Sequence, residues 1–170
     1  MRRPGYTIVE MVLVLIVVGI LSVVAFAAIN NAMRGIQLAN AADKLASDLR
    51  YAKSIAESSG KWYGVSIEVS PVDQYTIYST TGLATGDTIA DNPAKPGSGF
   101  IVKLYTDFGV TISSVTIEGG KKVEFSPGGM PYTDRYAFGP LSSEGVVTLS
   151  KSGSTRGIRI VPGTGRIYIQ

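Results

Sequence analysis

The chain has 170 residues, with 16 Lys and Arg against 13 Asp and Glu, and neither His nor Cys. Without Cys there is no disulfide and no thiolate metal site, and without His the usual general base, the usual triad partner and the commonest metal ligand are missing. Arg2 and Arg3 supply two of the three net positive charges, so a sequence pI of about 9.1 overstates any basic surface on the remainder. No constellation of carboxylates or lysines suggests catalysis, so the sequence reads as a non-enzyme with no implied cofactor.

The first element is an apolar run. Met11 to Ile29 reads MVLVLIVVGILSVVAFAAI, without a charge. As a helix rising about 1.5 Å per residue it spans roughly 28 Å, close to the ~30 Å hydrocarbon core of a bilayer. Arg2 and Arg3 ahead of it predict a cytoplasmic N-terminus, with the rest of the chain crossing outward. Glu10 abuts this run. A carboxylate at bilayer depth costs about 2.5–3.5 kcal/mol or more, so it needs an opposite charge within hydrogen-bond reach. A secretory signal peptide with a small-x-small site at Ala25-Phe26-Ala27 is a competing reading. The run is long for a signal core, and an abutting acid is unexpected there. A plain single-pass anchor accounts for the length but for neither Gly5 nor Glu10.

The string Arg2-Arg3-Pro4-Gly5-Tyr6-Thr7-Ile8-Val9-Glu10, running into the apolar helix, resembles the leader of type IV prepilins and type II secretion pseudopilins. The resemblance implies that a prepilin peptidase cuts after Gly5 and that Tyr6 becomes the N-methylated terminus. It also implies that Glu10 neutralises the N-terminal amine of a neighbouring subunit in a filament. The implied partners are that peptidase, other pilins or pseudopilins, and an inner-membrane assembly platform with its cytoplasmic ATPase. The implied location is the bacterial inner membrane, with the C-terminal domain outside the cytoplasm, followed by a periplasmic or extracellular filament. Tyr6 departs from the commoner Phe, and no Pro lies between Gly19 and Asn30, where many members carry one.

The helical pattern continues past the apolar run. Leu38, Ala42, Leu45, Leu49, Ala52 and Ala56 recur at spacings of three and four, an amphipathic stripe with Asp43, Lys44, Asp48, Arg50 and Lys53 expected on other faces. Gly60 suits a left-handed C-cap. The pattern predicts one helix from about Thr7 to about Ser58; two helices broken near Asn30-Asn31 are the alternative. The expected organisation is a leader (1–5), a transmembrane and assembly helix (6–33), an amphipathic continuation (34–60) and a β-rich globular domain (61–170).

After Gly60 the period becomes two. Val65, Ile67 and Val69 alternate with polar residues in a first strand, and Tyr75, Ile77 and Ser79 in a second. Thr80–Ser98 reads as a long loop, in which Asp87, Asp91 and Asn92 are weak candidates for Ca²⁺ and more simply a solvated loop. Strands are expected at Phe100–Tyr105 and Val110–Glu118, the latter bulged near Ser113-Ser114 because Ile112 and Val115 have opposite parity. Gly119-Gly120 reads as a hairpin turn into Lys121–Ser126. An irregular segment follows, and Val146–Ser150, Arg156–Val161 and Arg166–Ile169 complete about eight antiparallel strands in two sheets. The fold class is α+β, with the long helix packed on the β domain.

The tail carries a second, more diffuse resemblance. Phe125-Ser126-Pro127-Gly128-Gly129, the Gly-Val-Val-Thr-Leu strand, Arg159-Ile160 and Gly165-Arg166-Ile167 resemble the H-type (GspH) pseudopilins and FimT-like minor pilins. That implies a minor subunit of a type II secretion pseudopilus or a type IV pilus. FimT-like proteins of DNA-uptake pili carry a terminal Gly-Arg-x-Arg motif, and here Tyr168 stands in place of the second Arg. Weak nucleic-acid contact through Arg156, Arg159 and Arg166 is therefore a secondary expectation, with a solvated Arg166 the favoured one. Gly128-Gly129 and Gly163-Thr164-Gly165 lack the setting of a nucleotide-binding loop and read as turns.

Overall fold

A computed structural model describes residues 7–80, 86–118, 120–134 and 139–170. Its first element is α1 (Ile8–Ser59), a helix of 52 residues that is unbroken through Asn30-Asn31. The chain divides into a unit ending at Ile36 and a unit from Gln37 to Gln170.

Among the described residues, the first unit is helix from Ile8 onward. Its large side chains are exposed, Ile8 at 84%, Leu15 at 69% and Phe26 at 69%, and it is long and apolar enough to cross a membrane. The hydroxyl of Ser22 donates to the Val18 carbonyl at 2.7 Å, which returns its polarity to the helix backbone.

In the second unit the remainder of α1 lies on a sheet core. Leu38, Ala42, Leu45, Leu49, Ala52 and Ala56 are all buried, as the stripe predicts, and so are Ala41 and Ala46. The Ala-rich face lets the backbone approach the sheets closely. Gly60 ends the helix at φ 67°, where its N–H meets the Ala56 carbonyl at 3.1 Å. One correction concerns Asp48. It is 5% exposed and faces the core, not solvent. It sits there because the Tyr75 hydroxyl donates to it at 2.6 Å and Lys44, one turn earlier, at 2.7 and 2.8 Å. The hydrogen-bonded pair offsets the desolvation that would otherwise exclude the carboxylate. Burial, then the neighbouring Asp48 charge, pushes the Tyr75 hydroxyl well above its ordinary pKa, so it remains a donor.

The strands are β1 (Trp62–Glu68), β2 (Gln74–Thr80), β3 (Asp87–Ile89), β4 (Asp91–Asn92), β5 (Lys95–Gly99), β6 (Ile101–Lys103), β7 (Thr111–Thr116), β8 (Lys122–Phe125), β9 (Pro131–Tyr132), β10 (Gly145–Lys151), β11 (Ser154–Ile160) and β12 (Ile167–Ile169), with a short helix α2 (Leu104–Phe108) after β6. They form a six-stranded sheet in the order β3-β2-β1-β8-β9 with β6 also on β2, a four-stranded sheet β12-β11-β10-β7, and the ribbon β4-β5. Every pairing is antiparallel. One core joins the helix to the inward residues of the two larger sheets, among them Val65, Ile77, Phe125, Val147 and Ile158.

The expected bulge is present, where the β10–β7 register shifts between Thr148 and Leu149, opposite Ser114 and Ile112. Two expectations are corrected. The Thr80–Ser98 loop holds β3 and the β4-β5 ribbon; residues 81–85 of that loop lie outside the described residues. These strands carry no apolar alternation because they are largely exposed and are paired through their backbones. The strand expected at Phe100–Tyr105 stops at Lys103 and turns into α2, which Gly109 closes in a left-handed conformation. The Leu104 N–H donates to the Asp73 carbonyl at 2.9 Å, one position past the last β2–β6 pair, and the helix begins there. Gly119 of the expected hairpin turn lies outside the described residues, and the turn is flanked by an Ile117–Gly120 bridge.

A second buried polar pair lies on the far side of the six-stranded sheet. Tyr78, Gly64 and Glu124 stand in one row across β2, β1 and β8. The Tyr78 ring lies over Gly64, where a Cβ would collide with it, and its hydroxyl donates to Glu124 at 2.8 Å.

We expect a fragment beginning at Arg34 to fold alone, since the unit from Gln37 contains its whole core. It should show mixed helix and sheet by circular dichroism and a cooperative melt. In that fragment Tyr75→Phe should cost about 1.5–3 kcal/mol in urea titrations, the value of a hydrogen bond to a charged group. A non-cooperative melt of the parent would mean that the domain needs partner subunits.

Candidate functional site

Glu10 lies in the first turn of α1, on an exposed helix. Its backbone N–H donates to the Thr7 hydroxyl at 3.3 Å, which makes Thr7 the N-cap, and the Met11 N–H reaches the Thr7 carbonyl at 3.2 Å. The Thr7-x-x-Glu10 spacing is that of a capping box, a signal that the sequence itself carries. A carboxylate in the first turn also meets the positive end of the helix dipole. Gly5 and Tyr6 lie outside the described residues.

The basic residues of the last three strands divide between two faces, with Arg159 and Arg166 on either side of Tyr168 and Arg156 on the other face. In β11, Arg156 is paired with Leu149 and Arg159 with Val146. Paired residues share a face and successive residues alternate. Arg156 therefore projects on the side of buried Leu149, where it is itself exposed, and Arg159 on the opposite side. Arg159 is held by Glu144, with Nη1 at 2.5 Å from one carboxylate oxygen, and the Tyr168 hydroxyl donates to the other at 2.5 Å. Arg166 is exposed and stacks over the Tyr168 ring at 5.7 Å. The Lys151 ammonium donates to the Phe108 carbonyl at 2.7 Å. Of these four cations, Lys151 and Arg159 have been drawn into structure. Glu144 immediately precedes the segment 145–170, which carries Lys151, Arg156, Arg159 and Arg166 and no acid, so the partner of Arg159 lies outside that segment.

Gly165 has a structural reason for its place. Its φ is +60°, and a Cβ there would come 2.6 Å from the Gly129 carbonyl. The 162–165 turn thus packs against the 126–130 turn, and Lys53 of α1 bonds the Thr164 carbonyl at 2.7 Å. The segment before β10 is held by acids as well. Glu118 accepts from the Ser142 N–H at 3.0 Å and the Ser142 hydroxyl at 2.6 Å. Hydrogen bonds from Ser142 and Ser143 lower its pKa to about 2. Bonds from Tyr168, then Arg159, lower that of Glu144, and the same Glu144 bond raises that of Tyr168.

One cleft of about 430 Å³ is lined by Ser66, Lys121, Lys122, Thr133 and Asp134, where β9 departs from β8. Asp87 lies 3.6 Å from Lys122, and Asn92 caps the Ala94 N–H at 2.9 Å. No group of three His, Cys, Asp or Glu side chains is placed to hold a metal among the described residues.

No protein-family model and no curated protein matches the chain. Solved structures do match its fold. The minor pseudopilin EpsH of the type 2 secretion system of Vibrio cholerae is 14% identical over 79% of this chain and 96% of that one, with a TM-score of 0.58. A second EpsH crystal structure gives 13% identity, coverage of 78% and 92%, and a TM-score of 0.56. The type IV minor pilin FimU of Pseudomonas aeruginosa is 19% identical over 78% of this chain and 87% of that one, with a TM-score of 0.51. The chain has the pilin-like fold of these subunits: a long N-terminal helix on antiparallel sheets.

Glu118 and Glu144 bind protons less readily folded than unfolded, so the stability they contribute is present above the ordinary pKa of 4.5. It should be lost as pH falls from there towards about 2. Melting temperatures of the Arg34-onward fragment should therefore drop between neutral pH and the low end of that range, and Glu118→Gln should reduce the slope. A flat profile would show that these carboxylates do not hold the segment.

Proposed function

We propose that this chain is a minor pilin or pseudopilin, a non-enzymatic structural subunit of a type II secretion pseudopilus or a type IV pilus. The observation that carries this reading is a helix exposed and apolar on every side, with one carboxylate in its first turn, on a chain with the fold of minor pseudopilins. Such a helix needs apolar surroundings. The inner membrane supplies them before assembly and the packed helices of a filament supply them afterwards, so transfer between the two exchanges one apolar environment for another. In this reading a prepilin peptidase cuts after Gly5, Tyr6 becomes the methylated terminus, and Glu10 pairs with the amine of a neighbouring subunit. The sheet domain supplies lateral or tip contacts to other pilins, and an assembly platform drives extraction.

The intact mass of the mature protein tests this. It should correspond to loss of Met1–Gly5 and gain of one methyl group; a terminus after Ala27 would mean an ordinary signal peptide. Glu10→Ala should leave membrane insertion intact and lower recovery in sheared filaments at least several-fold, because insertion needs only apolarity whereas assembly leaves a buried amine unpaired. Normal recovery would remove Glu10 from the mechanism.

Nucleic-acid binding is the less favoured role. With Lys151 and Arg159 engaged within the chain, Arg156 and Arg166 are the cations of the set left to meet phosphate, and about two phosphates give a log–log salt slope near −2. Gel shifts of the Arg34-onward fragment should show weak binding at low salt. Tight binding that survives moderate salt, and is lost in an Arg156/Arg159/Arg166 triple Ala variant, would make DNA uptake the leading function.

A further inference from the structure

The globular unit carries an apolar and basic surface at the end where α1 enters it, near Gln37. Three segments meet there. β1 starts beside the end of α1 and runs back along it, a direction fixed by the Tyr75 bond to Asp48, so the 69–73 turn lies towards Gln37. Lys53 and Arg50 bond the Thr164 and Ile167 carbonyls, so β12 runs back along α1 as well. Its partner β11 pairs with β10 as far as Lys151 and Ser154, which brings that hairpin to the same end. α2 is tied to both: the Leu104 N–H donates to the Asp73 carbonyl at 2.9 Å, and the Lys151 ammonium donates to the Phe108 carbonyl at 2.7 Å.

This surface exposes two large apolar side chains, Tyr105 at 63% and Val72 at 46%. Beside them Lys103 and Arg156 are exposed and Lys151 is half-buried. Of the acids in the same segments, Asp73 is buried and accepts the Ile112 N–H at 2.8 Å, and Asp107 is exposed. Around the surface the exposed charges Glu68 and Lys121, and Asp43 and Arg34, balance.

We propose that this surface docks on the lipid headgroups of the bilayer that holds the apolar run. Tyr105 and Val72 enter the interface, and Lys103 and Arg156 meet anionic headgroups. The proposal rests on the reading above in which the chain is stored in a membrane before assembly. The apolar run ends at Ile29 and the globular unit begins at Gln37, a tether about 12 Å long when helical. The headgroup layer reaches about 5–7 Å beyond the hydrocarbon, so the remaining gap is close to the length of a Tyr or Lys side chain. A Tyr ring with its hydroxyl suits that layer, and cations are drawn to anionic lipid within a Debye length. Each contact is weak alone. The tether holds the surface at high local concentration against the lipid, which makes weak contacts count.

The chain has no cysteine, so one introduced thiol reports position. Full-length Thr106→Cys, carrying an environment-sensitive fluorophore, is reconstituted in vesicles of phosphatidylcholine alone or mixed with phosphatidylglycerol, each with a headgroup spin-labelled lipid. Lys61→Cys, just past Gly60 at the other end of the unit, is the control. Quenching at 106 should be at least three-fold stronger in the mixed vesicles and should fall with salt, while quenching at 61 is weak in both. Lys103→Glu/Arg156→Glu should remove the dependence on lipid charge. Asp107→Lys should increase it, a gain that a misfolded domain would not show. Tyr105→Ser should lower quenching in both vesicles. Mere proximity through the tether would leave quenching at 106 indifferent to lipid charge, to the double reversal and to Asp107→Lys, and that result would overturn the proposal. Val24→Cys, read with an acyl-chain spin label, separates this contact from the anchoring itself. If position 24 is quenched and position 106 ignores lipid charge, this contact alone falls. If position 24 is not quenched, the membrane reading falls with it.

Discussion

A helix that is apolar on every side cannot be stable in water, and its length is fixed by whatever apolar layer receives it. That constraint governs the first half of α1. It accounts for the absence of charge between Met11 and Ile29, for the return of the Ser22 hydroxyl to the Val18 carbonyl, and for the placing of Glu10 at the first turn rather than mid-helix. A carboxylate at a helix start meets unpaired N–H groups and the positive end of the dipole. The same carboxylate in mid-helix would meet neither.

From Leu38 onward the helix faces a different demand. With no disulfide available, the globular unit depends on packing and on a few well-satisfied polar groups. Alanines at 41, 42, 46, 52 and 56 bring the helix close to the sheets. Asp48, bridging Lys44 and Tyr75, gives that contact a definite register. Removing one partner of such a pair leaves a buried charge poorly satisfied, so it specifies arrangement more than it adds net stability. The Tyr78–Glu124 bond across Gly64 works in the same way on the outer face of the six-stranded sheet.

The last three strands show how folding redistributes charge. Four cations and no acid in a short stretch suggest a basic surface. Strand alternation sends Arg156 and Arg159 to opposite faces, and Glu144 from outside the stretch takes Arg159 and Tyr168. Gly165, which belongs to the resemblance, is needed for the approach of one turn to another whether or not a ligand binds there.

Sequence alone determined the features that depend on period and local chemistry. The continuous helix follows from spacings of three and four, its end from Gly60, the first two strands from strict alternation at Val65–Val69 and Tyr75–Ser79, and the β7 bulge from the opposite parity of Ile112 and Val115. These are properties of a single segment, and neighbouring residues suffice to express them. Other features were decided only by tertiary structure. The burial of Asp48 required Tyr75 to arrive from 27 residues away. β3 and the β4-β5 ribbon required neighbouring backbone edges, with no side-chain pattern to announce them. The separation of Arg156 from Arg159 required strand register, and the capture of Arg159 required an acid beyond the segment. In each case the partner is distant in sequence, and a polar group's position depends on which partner the fold brings within hydrogen-bond reach.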